Sequence, residues 1–503
     1  MESTSSNFIS NEHVMPKYKD VVAEKFYRFA FDHPKQAKIC IIATAILFSP
    51  IVAPTLAIAS LSCWVIGVSS GYSLSESAKK VASLFLVIFD FLVPAKFDMK
   101  QKSFVDGDVG PNKMAKISYE GDLPVLTLEK KHDSQEDYHY NVGYDQGFLL
   151  AGPMQKLLHK WLDSLLWLVI PAPKKVPELI EHLKKKIPEE YIKELEGMAA
   201  GFNKKMEESH SSCRVTLDKL LLLQLVPDVL HSRAGNLEKL LKKEPVRSRF
   251  VETFLPGPAC TTVLEKDEEG VVFGRNMDWP TLGVAGTYSI MIRRKYGDKT
   301  ILEIGTPGLV GTVTGMTSKG FALSMNVAEG KTQNIDGLPT SIFNRRCIEK
   351  CSTVGEVEDF IKGNPTLGPF HLTVATKDEG RVFDLYQGQD NALYSRSLSD
   401  KKSEPVVTTN CRYNETGMSK HHAHSKQREY NIAAFYSSKE AQEMQASERV
   451  QKALALPVVN NLETTHHVIM LPGQNKMSLA INNGYAGRDE RHEISVESEG
   501  FSY

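Results

Sequence analysis

The sequence predicts an α+β fold with an N-terminal hydrophobic helical region, on three observations. Short β-branched and aromatic runs bounded by Gly-containing turns recur at 261–273, 305–326 and 371–394. Stretches with helical spacing and helix-start chemistry lie at 140–151, 187–202, 216–231 and 339–361. Ile39 to Ser75 contains no charged residue, a run longer than the roughly 20 apolar residues needed to cross a bilayer. At 503 residues the chain is long for one domain. Its composition sets a polar and basic tail (1–38) and hydrophobic membrane-associated helices (39–96) apart from the rest of the chain. With 60 Lys and Arg against 61 Asp and Glu the net charge is −1, so no nucleic-acid footprint is expected.

The tail is Ser-rich to residue 16 and basic from Lys17 to Lys38. Within the uncharged run, Pro50 and Pro54 interrupt the first part and Gly67 and Gly71 the second, giving two short helices in a hairpin or one kinked span. Lys79 and Lys80 follow it, so both flanks are basic, and the positive-inside rule puts both ends, with the rest of the chain, on the cytoplasmic side. Val81 to Val93 carries Asp90 and is short enough to lie at the interface. The run starts too far from Met1 and is too long for a cleaved signal peptide; the alternative is a buried helical hairpin of a soluble domain. Seven scattered cysteines (Cys40, Cys63, Cys213, Cys260, Cys347, Cys351 and Cys411) are too few and odd in number for a disulfide framework.

From Phe97 to Asp133, Gly, Asp and Lys alternate with β-prone pieces such as Ala115 to Tyr119. Tyr140 to Ala151 carries small residues at one helical spacing. Ile187 to Phe202 opens with Pro188 and acidic residues in its first turn, as helices do, and Gly197 and Gly201 allow tight packing or a cap. Thr216 to His231, with its leucine run, reads as the next helix. Leu237 to Arg249 is rich in Lys and Arg and expected to be exposed, and Phe254 to Ala259 holds two prolines and a glycine, which make a regular element improbable.

Next comes a hairpin: Thr261 to Leu264 favour a strand, Glu265 to Gly270 form a polar turn, and Val271 to Phe273 resume the strand. It brings Cys260 near Arg275 and Asp278. A guanidinium favours the thiolate, and a carboxylate can position a proton carrier. The same residues also describe a small buried hydrophobe and a structural ion pair. Beyond it, 311–316 and 320–326 are two strands joined at Thr317 to Lys319. Pro339 to Ile361 is helical, with Cys347 and Cys351 one turn apart as packing residues. His371 to Tyr394 gives two further strands, and Val406 to Asn410 another. His421, His422 and His424 lack further ligands at metal spacing and read as a solvated loop, so neither metal nor cofactor is expected.

Cys260-Thr261-Thr262 followed by Gly274-Arg275-Asn276-Met277-Asp278-Trp279 resembles the nucleophile hairpin of the autoproteolytic N-terminal-nucleophile hydrolases. That superfamily includes acid ceramidase, N-acylethanolamine acid amidase, bile salt hydrolase with penicillin V acylase, and the acyl-CoA:6-aminopenicillanic acid acyltransferase family. The resemblance implies an α-rich prosegment (97–259) followed by an αββα sandwich (260–503), with the chain cut between Ala259 and Cys260 so that Cys260 becomes the first residue of the mature chain. In the acyltransferase branch the prosegment carries a Gly-Tyr-x-x-Gly and a Glu-Leu-x-Gly-x-Ala-x-Gly element, which Gly143 to Gly147 and Glu194 to Gly201 match. By the same resemblance Asn326, after a Gly-Met-x-x-x-Gly-like element, and Asn410, in a Thr-Asn at a strand end, support the oxyanion. Arg428, in a Ser-x-x-Arg element, neutralises charge. Cys411-Arg412-Tyr413 stands where ceramidase has Tyr-Asp, so the leaving-group pocket differs.

The resemblance implies an amidohydrolase acting through a thioester. The Cys260 thiolate attacks, its freed amine shuttles the proton, Arg275 and Asp278 orient it, and the α and β chains stay associated. The apolar run points toward N-acyl lipid amides as substrates. Transfer of the acyl group to another amine, and a membrane scaffold that only binds lipid, are the alternatives.

Overall fold

The computed structural model describes residues 104–129, 137–158, 176–231, 259–279, 284–328, 334, 336–386, 394–398, 404–412, 420–461, 463–481, 486–488 and 490–496. The hydrophobic region 39–96, the basic stretch 237–249 and the loop 254–258 lie outside these residues. Among the described residues no helix is long and apolar enough to cross a membrane.

In chain order the elements are β1 (Ala115–Glu120), β2 (Leu123–Leu128), α1 (Tyr138–Leu149), α2 (Ala151–Gln155), α3 (Val176–Lys186), α4 (Glu189–Glu208), α5 (Leu217–Gln224) and α6 (Val226–His231). Then follow β3 (Ala259–Lys266), β4 (Val271–Asp278), α7 (Val284–Tyr288), β5 (Ile290–Tyr296), β6 (Lys299–Gly305), β7 (Thr314–Thr317), β8 (Ala322–Val327), α8 (Thr340–Lys350) and α9 (Val354–Gly363). The chain continues through β9 (Phe370–Ala375), β10 (Gly380–Leu385), β11 (Tyr394–Ser397), β12 (Val406–Thr408), α10 (Lys420–Tyr436), α11 (Lys439–Gln442), α12 (Ala446–Ala455), β13 (Thr464–Leu471), β14 (Lys476–Ile481) and β15 (His492–Ser495).

Two of the expected long helices are each split in two. Thr216 caps α5 by accepting from the Lys219 N–H, but Pro227 at the second position of α6 can supply no N–H, and the helix restarts there. The 339–361 stretch breaks at Cys351, where Thr353 and Glu356 form a capping box that begins α9. The histidine segment read as a loop is instead the first turn of α10.

Nine strands form one sheet in the order β1-β2-β5-β6-β7-β8-β9-β10-β11, and six form a second, β12-β3-β4-β13-β14-β15. The first sheet begins with two strands from the segment expected to be α-rich, and β2 joins β5 in parallel. Strand alternation then sorts the side chains into layers. Leu264, Val271 and Phe273 of the smaller sheet pack with Met291, Leu302 and Met316 of the larger one. The larger sheet's other face, with Ile292, Leu323 and Leu372, packs on Leu195, Phe202 and Ile342 of the helices. Val263, Val272 and Ile469 cover α10 and α12 through Ile432, Val450 and Leu454. The order is therefore helices, sheet, sheet, helices.

α1 and α4 lie backbone to backbone. A Cβ on Gly143 would stand 1.9 Å from the Glu194 carbonyl oxygen, and one on Gly197 1.9 Å from that of Tyr140, so only glycine permits this approach. Glu194 on α4 is buried and pairs with Arg345 of α8 at 2.7 Å and Arg294 of β5 at 3.2 Å. Burial opposes its charge, but the two guanidiniums win and hold its carboxyl down at about 2. This network ties the segment before Ala259 to the region after it.

Candidate active site

Cys260 lies on β3, buried, with its side chain in the layer between the sheets. Alternation puts Arg275 of β4 in the same layer, and its Nη2 donates to Cys260 Sγ at 3.4 Å and to the Met325 carbonyl at 2.6 Å. Nη1 donates to the Val313 carbonyl and to Thr314 Oγ1. Thr314 Oγ1 is in turn 3.2 Å from His466 Nε2 on β13. A guanidinium fixed on three oxygens of the opposite sheet thus faces the sulfur with its remaining charge.

Asp278 does not stand beside the thiol. It is three residues from Arg275, an odd spacing, so it projects from the opposite face of β4, where Thr464 Oγ1 donates to it at 2.7 Å and Asn461 Nδ2 at 2.9 Å. Desolvation raises its carboxyl above the usual range, against Arg428, these hydrogen bonds and Arg275. The expectation that Arg275 and Asp278 flank the sulfur together is corrected: Asp278 is instead paired in register with Ala259, at the bond before Cys260. Glu463 shares that end, and burial, then the Asp278 charge, push its carboxyl up to about 8.

Asn410 sits two residues past β12. Its Oδ1 accepts from the Cys260 N–H at 2.8 Å and from Arg428 Nη2 at 2.9 Å, and its Nδ2 donates to the Val327 carbonyl at 2.6 Å. Arg428 of α10 also donates to the Cys260 carbonyl, to Thr261 Oγ1 at 2.8 Å and to Ser425 Oγ at 3.0 Å. Asn326 faces the same layer from β8, but its Nδ2 donates to the carbonyls of Thr408 at 3.0 Å and Thr409 at 3.4 Å. It holds the segment that carries Asn410. Cys260, Arg275, Asn410 and Arg428 are thus linked by direct hydrogen bonds, Asn326 braces them, and Asp278 lies at the strand end beyond them.

Sequence reasoning missed Thr314, Asn461, Glu463, Thr464 and His466. The available signal was a run of polar residues, Glu463 to His467, leading into a strand whose other members are apolar. Buried polar groups at such positions need partners. Cys347 and Cys351 are both buried in and at the end of α8. Among the described residues no group of His, Cys, Asp and Glu could hold a metal ion.

The family described as acyl-coenzyme A:6-aminopenicillanic acid acyl-transferase matches residues 263–454. The match places this segment, which contains Arg275, Asp278, Asn326, Asn410 and Arg428, in the N-terminal-nucleophile superfamily; it begins just past Cys260. No curated protein matches the chain. Among solved structures, a Caenorhabditis elegans N-acylethanolamine-hydrolyzing acid amidase ortholog is 18% identical with a TM-score of 0.35, over 42% of this chain and 93% of that one. Penicillin V acylase from Agrobacterium tumefaciens is 13% identical with a TM-score of 0.31, over 44% and 82%. A mutant of conjugated bile acid hydrolase from Clostridium perfringens is 13% identical with a TM-score of 0.33, over 48% and 93%. At these TM-scores the likeness adds nothing to the fold described above.

Proposed function

We propose that this chain, whose residues 263–454 match an acyl-transferase family, is an N-terminal-cysteine amidohydrolase that cuts itself before Cys260 and then opens N-acyl amides through a thioester. The observation that carries the reading is the convergence of Arg275 on the Cys260 sulfur and of Asn410 on the Cys260 nitrogen. In the uncut chain that nitrogen is an amide and can accept no proton. Cleavage makes it an α-amine with a reference pKa of about 7.7 to 8.0, suited to neutral proton transfer.

In the reaction the thiol proton passes to this amine while Arg275 faces the sulfur's growing charge. The thiolate adds to the amide carbonyl, and Asn410, with one N–H on Val327 and one left over, donates to the oxyanion. The N–H of Asn326 that reaches Thr409 over 3.4 Å is the weaker of its two bonds and the one an oxyanion would draw away. The protonated amine then returns its proton to the leaving nitrogen, the C–N bond breaks, and water or a second amine takes the acyl group from sulfur. Asp278, at the register position of Ala259, and Glu463 near it act on the cut rather than on the thiol. The uncharged run 39–75 supports a lipid amide, presented at a membrane, as substrate.

The test is a trap of the acyl-enzyme. Purified protein incubated with an N-acyl amide of a chromogenic amine should release the amine and carry the acyl mass on the Cys260 peptide, lost on treatment with hydroxylamine. Amine release unchanged in Cys260→Ala would end the reading.

A further inference from the structure

We infer that His466 is a positioning residue for the nucleophile, acting through Thr314 to fix the Arg275 guanidinium on the Cys260 sulfur. This rests on the reading of Cys260 as nucleophile and adds a residue that neither the hairpin nor the family elements contain. The contacts form one line across the two sheets: His466 Nε2 on β13, Thr314 Oγ1 on β7 at 3.2 Å, Arg275 Nη1 on β4, and from the same guanidinium Nη2 to Cys260 Sγ at 3.4 Å. His466, Thr314 and Arg275 are all buried, so water does not compete for these bonds.

The donors available fix the direction of the first hydrogen bond, and that of the second is part of the inference. A guanidinium can only donate, so Thr314 Oγ1 accepts from Arg275, and the hydroxyl's single proton is left to donate elsewhere. His466 Nε2 can receive it only as the unprotonated nitrogen of a neutral imidazole, with the proton on Nδ1. An imidazolium there would instead present a second donor to Thr314 and a second positive charge to Arg275. Burial first, then the charges of Arg275 and His467, hold the His466 imidazole well below the ordinary histidine range, so the ring stays neutral, as the accepting form requires.

The arrangement has a stated use. The two oxygens on Nη1, from Val313 and Thr314, and the Met325 carbonyl on Nη2 decide where the guanidinium plane lies. Of these only the threonine hydroxyl can rotate away. Neutral His466 removes that freedom by giving the hydroxyl one place to donate. Of the other charged groups around this end, Arg428 reaches Cys260 from its backbone side, and Asp278, with Glu463 near it, lies on the far face of β4, so none replaces this brace.

The experiment compares the full chain with His466→Leu, His466→Gln and Thr314→Val. The readout is the rate of Cys260 alkylation by iodoacetamide at pH 7, measured on the Cys260 peptide, with thermal unfolding as a control for folding. Leu and Val should slow alkylation roughly tenfold, the net worth of one hydrogen bond. Gln, whose carbonyl oxygen can stand in for Nε2, should restore it to within about threefold. A wild-type rate in the Leu variant, or a Gln variant as slow as Leu at equal stability, overturns the inference. A second readout separates it from the proposed function: nitrogen NMR of His466, assigned by its loss in His466→Gln, should show Nε2 unprotonated from pH 8 to pH 5. A protonated Nε2 at pH 7 overturns the brace whatever the activity; an unprotonated Nε2 with an inert Cys260 leaves the brace standing and removes the nucleophile.

Discussion

Replacing Gly197 by alanine should destabilise the protein by about 2 kcal/mol, although helix propensity alone predicts a gain of about 1 kcal/mol at a helix interior. The sign is decided by what the new methyl meets. On α4 it would stand 1.9 Å from the Tyr140 carbonyl oxygen, 2.8 Å from the Tyr140 carbonyl carbon and 2.9 Å from the Tyr144 nitrogen, all backbone of α1. A carbon and a carbonyl oxygen rest at about 3.3 Å, and no rotamer change relieves a contact with main chain, so the helices must part. Overpacking of this kind costs about 1–3 kcal/mol. Separation also strains the Gln146 to Glu194 bond of 2.8 Å that joins the same helices inside the charged network. Gly355→Ala is the control, because a methyl there meets nothing within 4 Å on α9; it should be neutral or stabilising by up to about 1 kcal/mol. Urea unfolding of both variants gives the measurement. A Gly197→Ala protein as stable as Gly355→Ala would refute the close approach of α1 and α4.

Three further outcomes follow from the same geometry. Arg275→Ala should slow Cys260 alkylation more than tenfold and leave the carbonyls of Val313 and Met325 without this donor, costing about 1–3 kcal/mol each in a urea titration. Glu194→Ala removes one of two buried carboxylate partners from each of Arg294 and Arg345, which keep Glu303 and Glu349, so about 1–3 kcal/mol should be lost, and the two chains expected from a cut before Cys260 should copurify in the parent and separate on gel filtration in the variant. Asp228, buried against the N-terminus of α8, has its carboxyl raised by desolvation to about 7. A folded-state value above the unfolded value of about 3.9 means that the native form holds the proton longer. This stability is complete below pH 4 and lost as pH rises through 7, at most about 1.4 kcal/mol per pH unit. Asp228→Asn should flatten that slope in unfolding midpoints measured from pH 4 to pH 8.

The hairpin was legible because β-branched residues, a polar turn and Gly270 signal it locally, and β3 and β4 extend it as far as Ala259 and Asp278. The grouping of Asn410 and Arg428 with Cys260 came from resemblance, since no spacing rule joins residues so far apart in the chain. The opposite faces of Arg275 and Asp278 are legible in the period of two, since on a strand an odd spacing separates side chains however near they are in sequence. His466 and Thr314 were beyond reach for a different reason: their meeting depends on how two sheets stack, which neither strand announces by itself. The split at Pro227 was readable and missed, and the one at Cys351 rests on a capping box inside an otherwise continuous helical pattern.

The most direct measurement is the intact mass and N-terminal sequence of the purified protein beside Cys260→Ala. The account predicts two fragments in the parent, the second beginning Cys260-Thr261-Thr262, and a single uncut chain in the variant. An uncut parent chain at neutral and acidic pH would contradict it, because the α-amine on which proton transfer depends would never form.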